Sequence, residues 1–279
     1  MTPDPAPGAT DRAMVMITHA GREAAVRVAR SLLDAFRESG VTVWVPADEA
    51  LRVCRKPSDA HTFAPEEFPP QPCELVVVVG GDGTILRAAE LALAIDAPLV
   101  GVNLGHVGFL AEVEPENVHD VAAALIDRQW VSEERTILDV SVHLAGRELW
   151  RTWALNEVSV EKLARERMIS VLLEIDHQPL SEWSCDGVIC ATPTGSTAYA
   201  WSAGGPVVWP DVEAMVVVPL SAHALFARPL VVSPDSHIAI DLAASNSGAV
   251  VWCDGRRSAS APPGSVVQVT TSPQRLRFA

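Results

Sequence analysis

Positive charge is scarce in this chain. Its 279 residues carry 21 Lys and Arg against 35 Asp and Glu, a formal net charge of -14. That balance argues against a nucleic-acid binder, whose phosphate contacts need clustered Lys and Arg. An anionic ligand must be gripped locally, by helix N-termini and a few placed arginines. Cysteine is also sparse: Cys54, Cys73, Cys185, Cys190 and Cys253 form no CxxC pair. Neither structural zinc nor a disulfide framework is expected, and free thiols in a reducing compartment are. The eight histidines lack metal-ligand spacing, so no metal site made by the protein alone is expected. No apolar run approaches the roughly 20 residues that span a bilayer. The start, MTPDPAPGATDR, has neither the basic nor the apolar region of a secretory signal. A cytoplasmic protein with no membrane or nucleic-acid partner is expected by elimination. Tyrosine is reduced to one residue, Tyr199.

Apolar residues, by contrast, make up 48% of the chain, enough for two cores at this length. VMIT and VTVWV read as strands on either side of a helix with apolar spacing at Ala25, Val28, Leu32, Leu33 and Phe36. Five prolines between Lys56 and Cys73 predict a loop without regular structure. ELVVVV (74–79) has the unbroken apolar character of a strand buried on both faces in a parallel sheet. A helix from about Thr84, the strand PLVGVN and a helix near Asn117 to Gln129 continue the alternation. Residues 13–135 are therefore expected to form an α/β domain with a parallel sheet. After Arg135 the pattern changes to short alternating stretches separated by turns, and residues 136–279 are expected to form a mostly β domain. Asp176-His177 is placed to turn a hairpin, and a helix is expected to begin at Gly195.

Two loops carry candidate chemistry. In ELVVVVGGDGTILRAAE, Gly80, Gly81 and Gly83 allow a sharp turn and close ligand approach beyond a strand's carboxyl end, and Asp82 is presented there. Thr84 is placed to cap the following helix, whose N-terminus favours an anion, and Arg87 lies one turn further on, within reach of it. Gly-Asp-Gly is also an ordinary turn signature. It is not a dinucleotide fingerprint, because the third glycine of GxGxxG would fall at Leu86. An acid beside phosphate repels it unless Mg2+ intervenes or the acid takes a proton from an attacking hydroxyl. The second loop, TPTGSTAYAWSAGG (192–205), has glycines and hydroxyls but no lysine after its Gly-Ser, so it is not a Walker loop. Thr192, Thr194 and Ser196 also suit helix caps, and Trp201 suits a packing residue.

GGDGT is shared with a superfamily of kinases that includes diacylglycerol kinases and NAD kinases. ALNEVSVEK (154–162) and CDGVICATPTGSTAYAWSAGGPVV (185–208) closely resemble two further signature blocks of bacterial NAD kinases. VVPLSAHALFARPLVV (217–232) and CDGRR (253–257) resemble later segments of that family in the same order. The resemblance implies a Rossmann-like α/β domain followed by a sandwich-like β domain, with the active site in the crevice between them. It implies transfer of the terminal phosphoryl group of ATP, or of polyphosphate, to the 2'-hydroxyl of the adenosine ribose of NAD, with Mg2+ accompanying ATP. Asp82 then matches the general base, and Gly80, Gly81, Gly83 and Thr84 the phosphate-donor loop. Asn156 and Glu157 match the pair that fixes adenine and ribose hydroxyls, and Thr197, Ala198, Tyr199 and Ser202 surround the adenine. Gly83, Arg87, Arg167, Arg256 and Asp186 complete the implied NAD contacts, Asp186 from a neighbouring subunit of a homodimer or homotetramer. His223 matches a recurrent histidine that reads as structural. The segment after CDGRR departs from the family in being short, stopping at QRLRFA where many relatives continue into a tail that packs back on the first domain; the last residues here are expected to take that place. A lipid kinase, which GGDGT alone fits equally, and a non-catalytic dinucleotide sensor stand as alternatives.

Overall fold

The computed structural model describes residues 12–64, 67–69, 72–102, 118–224, 227–245 and 247–279. Two compact units divide the chain: Met1–Glu134 with Leu276–Ala279, and Arg135–Arg275.

In the first unit the strands β1 (Ala13–Thr18), β2 (Thr42–Pro46), β3 (His61–Phe63), β4 (Leu75–Val79) and β5 (Leu99–Val102) alternate with the helices α1 (Glu23–Glu38), α2 (Ala47–Val53), α3 (Asp82–Ala94) and α4 (Val118–Ile126). The sheet order is β3-β2-β1-β4-β5 and every pairing is parallel. At the chain's end Phe278 pairs in parallel with Leu99. Order reverses between β1 and β4, and the loops following those two strands open at the point where such sheets bind ligands. All five residues of β4 are buried, since helices cover both faces of a parallel sheet. From α1, Ala25, Val28, Ala29, Leu32, Leu33 and Phe36 face the core at helical spacing.

Three local expectations are corrected. The segment after Lys56 holds a 3-10 turn at Pro57–Asp59 and the short strand β3, both compatible with proline because Pro57 opens the turn, where no N–H is needed. Helix α2 has no counterpart in the reading from apolar spacing, because only Glu49 and Val53 of its seven residues are buried. Helix α3 starts at Asp82 with Gly81 as its N-cap, so Thr84 lies inside the first turn and makes no side-chain cap bond. Of the expected strand to Asn103 and the helix from Asn117, those two end residues lie outside the described residues, as do His106 and Leu225-Phe226 of the 217–232 block.

The second unit stacks two sheets. One is built from β6 (Glu133–Leu144), β7 (Arg147–Ala154), β9 (Ile169–Ile175), β10 (Gln178–Cys185), β14 (Ile238–Leu242) and β17 (Ser265–Phe278), in the order β10-β9-β14-β17-β6-β7. The other is wholly antiparallel, in the order β13-β12-β11-β8-β15-β16. It comprises β8 (Glu157–Lys162), β11 (Gly187–Ala191), β12 (Met215–Leu220), β13 (Leu230–Val232), β15 (Ala249–Cys253) and β16 (Arg257–Ala261). Their inner faces share one core, in which Trp183, Ile169 and Leu138 meet Val188, Val160 and Met215. Asp176 and His177, with φ of 52° and 62°, turn the β9-β10 hairpin as their residue types suggest.

Strand β11 explains where the TPTGSTAY block goes. Val188 and Cys190 point into the shared core, whereas Ile189 and Ala191 pack on the other face with Ala200, Val208 and Ala214. The block thus lies against the outer face of this sheet. Instead of one helix from Gly195, it forms a 3-10 turn (Thr194–Thr197), a break at Ala198 and the four-residue helix α5 (Tyr199–Ser202).

Candidate active site

Asp82 stands at the first position of α3, open to solvent, beside the loop after β1: His19 N–H donates to Val79 O at 2.9 Å. Partial burial raises its carboxyl above the usual carboxylate range, which strengthens it as a base. The glycines of the loop have different reasons to be there. A β-carbon on Gly80 would lie 2.5 Å from Thr84 Oγ1, so Gly80 is required by packing. Around Gly81 and Gly83, nothing among the described residues lies within 4 Å of such a carbon, and neither has a positive φ. Open space in front of two unstrained glycines suits the approach of a ligand to the backbone.

Arg87 departs from expectation. Its guanidinium pairs with Glu49 of α2 and donates to Thr18 O at 3.1 Å. Glu49 is buried and also accepts the Thr18 N–H at 2.6 Å; burial pushes its carboxyl up while Arg87 opposes that shift. Arg87 therefore closes an internal network between β1, α2 and α3, and an anion must compete with Glu49 for it. Glu49 gave no sequence signal, being one of two adjacent acids in a short helix.

In the second unit, Glu157, Ser159, Glu161, Tyr199, Trp252, Asp254 and Gly255 line an open pocket of about 420 Å3. Asn156, beside Glu157, is 8% exposed and Glu157 9%. Among the described residues, Asn156 Oδ1 and Glu157 Oε2 have no hydrogen-bond partner. Two buried acceptors left open in this way are costly unless a ligand donates to them. They are therefore not the solvated face that a polar pair on a strand usually makes. Burial, then the neighbouring Asp254, push the Glu157 carboxyl up to about 7, against the pull of the Tyr199 backbone N–H. Three carboxylates and no cation line the pocket. Such a lining repels phosphate and suits the hydroxyl and amine donors of a nucleoside.

The TPTGST segment is structural support for this pocket. Thr192 Oγ1 donates to Leu155 O at 2.6 Å and accepts the Gly195 N–H at 3.1 Å. A β-carbon on Gly195 would overlap the carbonyl oxygen of Asn156, so only glycine permits this approach. Ser196 Oγ donates to Pro193 O at 2.7 Å and accepts the Val208 N–H at 2.9 Å. Thr197 and Ala198 are half-buried, Ser202 is exposed, and Tyr199 is 40% exposed at the pocket wall. Trp201, expected to pack inside, is instead 57% exposed.

Of the implied ligands in this unit, Glu157 and Tyr199 line the pocket; Asn156, Thr197, Ala198, Ser202, Asp186, Arg167 and Arg256 are not among its lining residues. Asp186 pairs with Lys162, whose hydrogen bond and charge hold its carboxyl below the usual range. Arg167 and Arg256 are exposed. Arg257, next to Arg256, instead binds Asp254 at 2.6 Å and lies 4.0 Å over the Trp153 ring. The backbone N–H of His223 donates to Ser184 O at 2.8 Å.

Comparison with known proteins gives this geometry its context. Residues 15–130 match the model of the ATP-NAD kinase N-terminal domain and residues 155–279 that of the ATP-NAD kinase C-terminal domain. The chain is 49% identical to the NAD kinase of Thermobifida fusca (strain YX), over 97% of this chain and 85% of the relative. It is 47% identical to that of Cutibacterium acnes (strain DSM 16379 / KPA171202), over 96% and 85%. The crystal structure of an NAD kinase from Archaeoglobus fulgidus in complex with ATP superposes with a TM-score of 0.69 at 28% identity, covering 96% of this chain and 92% of that one. That of yeast NADH kinase complexed with NADH, 23% identical, shares the fold at a TM-score of 0.83 over 96% and 82%. The chain belongs to the ATP-NAD kinase family, and its activity is phosphoryl transfer to NAD rather than to a lipid.

Proposed function

We propose that Asp82 is the general base of this reaction and that the pocket beside β8 holds the adenosine half of NAD. The observation that carries the reading is the adjacent pair of buried, open acceptors, Asn156 Oδ1 and Glu157 Oε2, of which Glu157 lines a pocket that repels phosphate. Asn156 would serve the adenine, and Glu157 would accept the ribose hydroxyls. Tyr199 offers the ring on which the base packs, and Thr197, Ala198 and Ser202 flank it. Asp82 would take the proton of the 2'-hydroxyl as the oxygen attacks the terminal phosphorus of ATP.

Phosphates of the donor are read against the Gly80–Thr84 loop, where Gly81 and Gly83 leave the backbone approachable. Among the described residues, no group of three or more His, Cys, Asp or Glu gathers to hold a metal ion. Mg2+ is assigned to the donor's phosphates, where it would neutralise their charge. Arg167, Arg256 and Asp186 remain assignments by resemblance; Arg87, assigned from its place one turn beyond the loop, requires release from Glu49. A homo-oligomer working in the cytoplasm fits the exposed Trp201, Val207, Trp209 and Val212 along 201–212 and the lack of any disulfide among the described cysteines. No helix among the described residues is long and apolar enough to cross a membrane.

The test is purified protein with NAD, Mg2+ and either ATP or polyphosphate, with NADP quantified, for the native chain, Asp82→Asn and Glu157→Gln. Loss of turnover in the first variant and a raised KM for NAD in the second are expected. Near-normal turnover of Asp82→Asn would remove that residue from the chemistry.

A further inference from the structure

We propose that Asp254 is a positioning residue of the coenzyme pocket: its carboxylate gathers the backbone N–H groups of Leu155, Asn156 and Glu157 and so sets where the Asn156 and Glu157 side chains point. The inference rests on the reading that this pocket receives the adenosine of NAD. Asp254 is 6% exposed, in the turn from β15 to β16, where it and Gly255 adopt φ of 54° and 62°. Its Oδ1 accepts the N–H of Asn156 at 2.7 Å and of Glu157 at 3.3 Å, and its Oδ2 that of Leu155 at 2.9 Å. Arg257 Nη2 donates to the same Oδ2 at 2.6 Å, and the Asp254 N–H returns a bond to Glu157 O at 3.0 Å.

Three consecutive N–H groups cannot reach one acceptor from a regular strand, because successive N–H groups of a strand point to opposite edges. The β8-β15 ladder ends at Val158 opposite Cys253, and the carboxylate takes over at that point. It bends the chain off the strand path over the two residues whose side-chain oxygens stand open. The carbonyl side of the same bend is held separately, by Thr192 on Leu155 O and by the close approach of Gly195 to Asn156 O. A carboxylate suits the task because all of its lone pairs accept; an amide in its place would turn an NH2 group towards one of the N–H donors. A buried carboxylate without partners would be costly, and the backbone bonds with Arg257 supply them.

The same arrangement couples the bend to charge. The groups facing Glu157 are Asp254 from the turn, the Tyr199 N–H from α5, Glu161 along β8 and the Cys253 thiol, with Arg257 behind Asp254. Of these, Asp254 is the one whose negative charge raises the Glu157 carboxyl, after burial itself.

The experiment is Asp254→Asn in the full chain, with KM for NAD and for ATP determined separately from pH 6 to 9 alongside thermal melting. Expected is a rise in KM for NAD of about 10- to 100-fold, the scale on which misplacement of a binding group acts, with KM for ATP unchanged. The acid limb of kcat/KM for NAD should also move to lower pH, since a negative neighbour of Glu157 is gone. An unchanged KM for NAD, an equal rise for both substrates, or a lowered melting temperature with an unmoved acid limb overturns the proposal. Should Asp254→Asn not fold, Arg257→Gln keeps the three N–H bonds and removes the counter-charge. The acid limb must then move to higher pH, and an unmoved limb overturns the proposal. If Glu157→Gln itself leaves KM for NAD unchanged, the pocket assignment has failed instead; if it raises KM and Asp254→Asn does not, only the positioning role falls.

Discussion

The loop after β4 and the pocket beside β8 hold their carboxylates in opposite ways. Asp82 stands exposed at a helix start, behind glycines with open space before them. Glu157 and Asp254 are buried, and the backbone around them is fixed by side chains from Thr192 and by a glycine that touches Asn156. In the proposed reading, the first arrangement leaves room for a large, charged donor to come and go. The second would discriminate by hydrogen bonds, because a polar site left unfilled penalises a ligand that lacks the matching groups. A base that only receives a proton would tolerate solvent, and a recognition pocket would gain from its exclusion.

The contrast can be broken at the exposed end first. Asp82→Asn should lower turnover by about 10²- to 10⁴-fold, the range of general acid-base catalysis, while the melting temperature and KM for NAD stay close to native. Gly195→Ala, on the pre-shaped side, should do the reverse. Its methyl group meets backbone rather than a flexible side chain, so a stability loss of about 3 kcal/mol or more is expected by denaturant titration, with NAD binding weakened.

Glu157 sharpens the comparison through pH. Its folded carboxyl, at about 7, lies above the unfolded value of 4.5, so the folded protein holds the extra proton between those limits. Stability from this group is therefore complete below pH 4.5 and is lost as pH rises through 7. Glu157→Gln should flatten that slope and raise stability at pH 8 by up to about 3 kcal/mol, read by melting across the window. Native KM for NAD should fall as pH rises through 7, where the ionised acceptor forms. The smallest effect is expected from Tyr199→Ala, which removes a ring at the pocket wall. NAD binding should weaken by about 1–3 kcal/mol, measured by calorimetry, with melting unchanged because the side chain is 40% exposed.

The parallel sheet was readable because its signals are local: the run of valines in β4 and the helical spacing of α1 each require burial on known faces. Helix α2 was not, since a helix burying two residues of seven leaves almost no periodic trace. For the site, GGDGT could be placed from the strand before it and the helix after it. Tyr199 was visible as the only tyrosine, yet Trp201, two residues away, turned outwards because the helix there is only four residues long. Arg87 looked like a ligand because its partner Glu49 is 38 positions away in sequence and nothing local announces the pair.

By itself, then, the sequence determined the α/β-then-β order of the chain, the glycine loop with its acid, and the family to which the blocks belong. These follow from apolar periodicity and from residue types whose backbone preferences act over a few positions. Only the tertiary structure decided what Asp254 does. In the sequence it is half of an Asp-Gly turn; in the fold it meets three N–H groups 97 to 99 residues distant. A carboxylate's role is set by which donors surround it once water has been excluded, and that company is chosen by the packing of whole strands.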